Sequence, residues 1–70
     1  MAMSNKQQQR VERTALYIAC LLRAVEERNV AVDINDLCGT LIPAFADVEE
    51  YTHDQVCELE RVLASEGFFG

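Results

Sequence analysis

Ala15–Leu22, ALYIACLL, is an unbroken run of eight apolar residues set inside a segment that otherwise mixes charge and hydrophobe. On a helical wheel Val11, Ala15, Ile18, Leu22 and Val25 recur at spacings of three and four, with Thr14 and Leu21 beside them, which predicts one core-facing stripe. On the far side Leu16, Tyr17, Cys20 and Ala24 make a second apolar strip. A helix that is apolar all round is normally covered all round. Either the rest of the chain wraps this helix or a second subunit does. A chain of 70 residues hides only roughly 60% of its unfolded surface, and oligomerisation is a common remedy for so small a core. The expectation is therefore an all-α, compact three-helix bundle that is homodimeric through the first helix, with Leu16, Tyr17, Cys20 and Ala24 at the dimer interface.

Working outward, the helix should begin after a loose Met1–Ser4, with Ser4 or Asn5 as its cap, and run to about Arg28, where Asn29 suits a left-handed terminator. Val30, Ala31 and Val32 form an apolar connector that should pack under the bundle. Asp33 has the side chain of an N-cap, and Ile34, Leu37, Cys38, Leu41 and Phe45 give the second helix its apolar face. Pro43 removes one backbone hydrogen bond, so this helix is expected to end or bend near Leu41, leaving Ala46–Tyr51 as an acidic connector. Thr52 and Gln55 spell a capping box for the third helix, whose buried stripe is Val56, Leu59 and Leu63 with Val62 at its edge. Gly67 should stop it, and Phe68 and Phe69 should fold back onto the core.

Composition sets the broad class. Half of the residues are apolar, one is proline and three are glycine, as in one folded domain spanning residues 1–70. The net charge of −6 opposes a primary role on nucleic acid, where Lys and Arg against phosphate dominate affinity. Eight apolar residues fall far short of the roughly 20 needed to cross a bilayer, and the polar start does not read as a secretory signal, so a cytoplasmic location is expected. Cys20, Cys38 and Cys57 are odd in number and lie among apolar residues, the pattern of buried free thiols rather than of a disulfide framework.

The DINDL start of the second helix at Asp33–Leu37 and the third-helix ending VLASEGFF at Val62–Phe69 resemble the tri-helical core of winged helix-turn-helix domains. In that family the third helix reads the major groove and a two-stranded wing follows. Here the counterpart of the reading helix carries Asp54, Glu58, Glu60 and Glu66 against Arg61 alone, and the wing would begin where this sequence ends. The resemblance implies the fold and leaves a DNA-binding or transcription-associated module as the alternative function, resting on Lys6, Arg10 and Arg13 of the first helix.

No arrangement of residues supports an enzyme, and no cofactor or metal is expected. His53 and Cys57 at i and i+4 lack the third and fourth ligands of a zinc site and the orienting group of a nucleophile–base pair. The clearest signal is the distribution of charge. Residues 1–32 carry Lys6, Arg10, Arg13, Arg23 and Arg28 against Glu12, Glu26 and Glu27, a balance of +2, whereas residues 33–70 set nine carboxylates against Arg61, a balance of −8. Such asymmetry steers encounters with basic partners. The expected function is that of a small acidic protein-binding regulator or inhibitor, docking on a basic groove through Asp47, Glu49, Glu50, Asp54 and Glu58. In size and charge it resembles inhibitors that bacteriophages and mobile elements direct at host proteins.

Overall fold

The computed structural model describes residues 3–68, which form three helices: α1 (Asn5–Glu27), α2 (Ile34–Glu49) and α3 (His53–Ser65). Each begins on a side chain that satisfies its first free N–H groups. Ser4 and Gln7 form a reciprocal capping box for α1, Asp33 accepts from the N–H groups of Asn35 and Asp36, and Thr52 and Gln55 repeat the box for α3. Ser4 is thus an ordered cap, and Met3 packs partly on the core, which corrects the expectation of a loose start for these two residues. Met1 and Ala2, and Phe69 at the other end, lie outside the described residues.

The ends of the helices are equally specific. Asn29 takes the left-handed conformation after α1 at φ 54°. Gly67 does so after α3 at φ 92°, where the Phe68 N–H donates to the Leu63 carbonyl and the Gly67 N–H to that of Ala64, the paired bonds of a Schellman stop. Phe68 folds back and is buried. The end of α2 uses the same motif, with Tyr51 N–H on the Ala46 carbonyl and Glu50 N–H on that of Asp47, but places Glu50 at φ 56°. A β-carbon is strained there, so Glu50→Gly is expected to raise stability by about 0.5–1 kcal/mol. A higher urea midpoint at unchanged slope would show this, and a lower one would contradict it.

Helix α2 departs from the sequence-based expectation. It continues past Pro43 to Glu49, so Ala46–Glu49 is its last turn rather than a connector. The proline ring sits on the exposed side, and the cost of one lost bond to the Gly39 carbonyl is offset by burying Ile42 and Ala46 on either side of it. The deepest face of α2 is accordingly Cys38, Ile42 and Ala46, while Ile34, Leu37, Leu41 and Phe45 are half-buried.

Helix α1 packs along both α2 and α3. Its Val11, Ala15, Ile18, Ala19 and Leu22 meet Cys38 and Ile42 of α2 and Leu59 and Leu63 of α3 in one core, closed at one end by Phe68. Ala19 belongs to this stripe, whereas Leu21 is exposed. Val30, Ala31 and Val32 are also exposed, so the first connector does not pack under the bundle as expected. Among the described residues no helix is long and apolar enough to cross a membrane.

Candidate partner-binding surface

The structure divides the five acidic residues Asp47, Glu49, Glu50, Asp54 and Glu58 into two groups. Glu49 faces α1, where the Arg10 guanidinium donates to its Oε2 at 2.7 Å and to its backbone carbonyl at 3.0 Å. Glu58 is largely covered: it accepts from Arg61 Nε at 2.8 Å and from Gln8 Nε2 at 2.7 Å. These two carboxylates tie helices together or neutralise a neighbour and are not free for a partner. Asp47, Glu50 and Asp54 are exposed and form no ion pair among the described residues.

The Arg61 guanidinium, with the Gln8 amide second, holds the Glu58 carboxyl down from its usual 4.5 to about 2. A carboxylate whose folded value lies below its unfolded one contributes its full stability above the unfolded value and loses it as pH falls toward the folded one. Thermal stability should therefore decline between about pH 5 and pH 2, and Glu58→Gln should flatten that part of the profile. Identical acid profiles for the variant and the parent would refute this.

A second cluster, missed in the sequence, fixes the α2–α3 corner. Tyr51, just after α2, reaches back to α1, where its hydroxyl lies 2.6 Å from that of Thr14 and 3.0 Å from the Arg10 carbonyl. The Thr14 hydroxyl also lies 3.0 Å from that carbonyl, and the Arg10 guanidinium stands 5.4 Å over the Tyr51 ring. Arg10, Thr14, Glu49 and Tyr51 thus form a latch between the start of α1 and the turn into α3.

That corner shapes an open groove of about 510 Å³ between α2 and α3. Ile42, Pro43, Ala46 and Val56 give it an apolar lining, and Asp47, His53 and Glu60 supply its charged and polar edges. Glu60 was not among the residues chosen by sequence, because nothing in its local pattern marks it off from the other acids of α3. Among the described residues no lysine or arginine lines the groove, and the Arg61 side chain is turned to Glu58. The groove therefore suits an apolar side chain flanked by positive charge.

His53 Nε2 lies 3.6 Å from Cys57 Sγ on the exposed side of α3, and among the described residues no group of three metal-ligating side chains comes together. Of the three thiols only Cys38 is buried, and burial pushes its pKa up. Cys20 and Cys57 are exposed, correcting the expectation of three buried thiols. The strip Leu16, Tyr17, Cys20 and Ala24 is uncovered within one chain, with Leu16 59% and Tyr17 63% exposed, although the Tyr17 ring does touch Phe45 of α2 at 6.1 Å between centroids. The described chain matches no known protein family, curated protein or solved structure.

Proposed function

We propose that this chain is a non-enzymatic regulator or inhibitor that acts by docking its α2–α3 groove on a basic patch of a partner protein. A leucine-like side chain of the partner sits against Ile42, Ala46 and Val56, and flanking Lys or Arg residues meet Asp47 and Glu60, with Glu50 and Asp54 extending the acidic field. One observation carries this reading. The carboxylates paired with arginine, Glu49, Glu58 and Glu66, are separate from those at the groove, which keep their charge unspent beside an apolar lining. The DNA-binding alternative has less support, because of the three residues it rests on, Lys6, Arg10 and Arg13, Arg10 is already engaged by Glu49, and α3 carries four times as many carboxylates as arginines along its length and C-cap.

The test uses a labelled helical peptide with leucine and lysine on one face. It should bind the chain and weaken as salt rises, since exposed charges are screened. The combined variant Asp47→Asn, Asp54→Asn, Glu60→Gln should bind about tenfold more weakly with a flatter salt dependence. Equal affinity for the variant and the parent would remove the groove from consideration.

A further inference from the structure

The outer face of α1 is laid out symmetrically about Cys20. Arg13 lies seven residues before it and Glu27 seven after, two helical turns in each direction, so all three fall on one line along the helix. Leu16 and Ala24 stand four residues to either side of the same point. Arg13 and Glu27 are both exposed, and neither forms an ion pair among the described residues. A copy of α1 laid antiparallel across this face, with the two-fold axis at Cys20, sets Arg13 against Glu27 of the other copy at both ends. The same superposition sets bulky Leu16 against small Ala24 twice. A parallel copy would instead set Arg13 against Arg13 and Glu27 against Glu27.

We infer that the chain forms a two-fold homodimer in which the α1 helices pair antiparallel through Arg13, Leu16, Tyr17, Cys20, Ala24 and Glu27. The uncovered surfaces of Leu16 and Tyr17, with Leu21 at 41% exposed beside them, are the apolar centre of the interface. Together with the stems of Arg13 and Glu27, two copies bury on the order of 1,000 Å², about the least that a specific interface clears. A self-complementary patch of this kind closes on itself and stops at two subunits. It lies on a different helix from the lining of the α2–α3 groove, so the dimer presents two grooves and gains avidity for a partner with repeated basic sites.

The orientation is tested by charge reversal, with mass measured by sedimentation over a dilution series. The parent chain should sediment as a concentration-dependent dimer. Arg13→Glu alone and Glu27→Arg alone each turn two attractions into two repulsions and should weaken the dimer about tenfold. The double variant Arg13→Glu, Glu27→Arg restores both pairs and should recover the parent affinity. Because these residues are exposed and unpaired within the chain, all three variants should keep the parent helical circular dichroism. A dimer indifferent to the single reversals would overturn the antiparallel arrangement, and a parent chain that stays monomeric at all concentrations would overturn the dimer itself.

Discussion

Ile18→Ala is expected to leave most of the protein unfolded at 37 °C. Ile18 is fully buried at the middle of α1, in the cluster that joins the three helices. Removing its larger side chain forfeits the transfer energy of the lost carbons and leaves a cavity, together about 2–5 kcal/mol. A single core of this length rarely supplies more than about 3–5 kcal/mol in all. The loss is therefore comparable with the whole stability of the fold. Val48→Ala provides the contrast, because Val48 is 80% exposed near the end of α2 and alanine is the better helix former. It should change stability by less than about 0.5 kcal/mol. Urea titrations followed by circular dichroism compare the two directly, and equal effects would mean that the core is not centred on α1.

Tyr51→Ala is the second large effect, expected at about 2–3 kcal/mol, and a graded series divides it. Tyr51→Phe removes only the hydroxyl that meets Thr14 and the Arg10 carbonyl and should cost about 1 kcal/mol, the net worth of such a hydrogen bond. Alanine also removes the ring that packs against the core and lies under the Arg10 guanidinium. Because Arg10 is held by Glu49 as well, Arg10→Ala combined with Tyr51→Phe should show coupling rather than simple addition. Additive losses would separate the two contacts and dissolve the latch as a unit.

What the sequence disclosed and what it withheld divide along the range of the interactions. The caps at Ser4, Asp33 and Thr52 and the stop at Gly67 are local, each settled by side chains within a few residues, and each was legible. The course of α2 was not. Pro43 points to an end or a bend near Leu41, yet Cys38, Ile42 and Ala46 recur at spacings of four across it, and the burial of that stripe outweighs one missing backbone bond. The acidic character of the second half was plain from composition. Which acids remain free was not, because Arg10 reaches Glu49 across 39 positions and Gln8 reaches Glu58 across 50. Thr14 and Tyr51 likewise gave no local sign of meeting. Pairing over such distances follows only from how three helices settle against one another.

The proposal that a basic partner is received between α2 and α3 is tested most directly by titrating the lysine- and leucine-faced peptide into the isotope-labelled chain and following its amide resonances. The account predicts salt-sensitive shifts concentrated at Ile42, Ala46, Asp47, His53, Val56 and Glu60, with α1 residues Leu16 and Tyr17 unmoved. Shifts confined to α1, or none at saturating peptide, would contradict it.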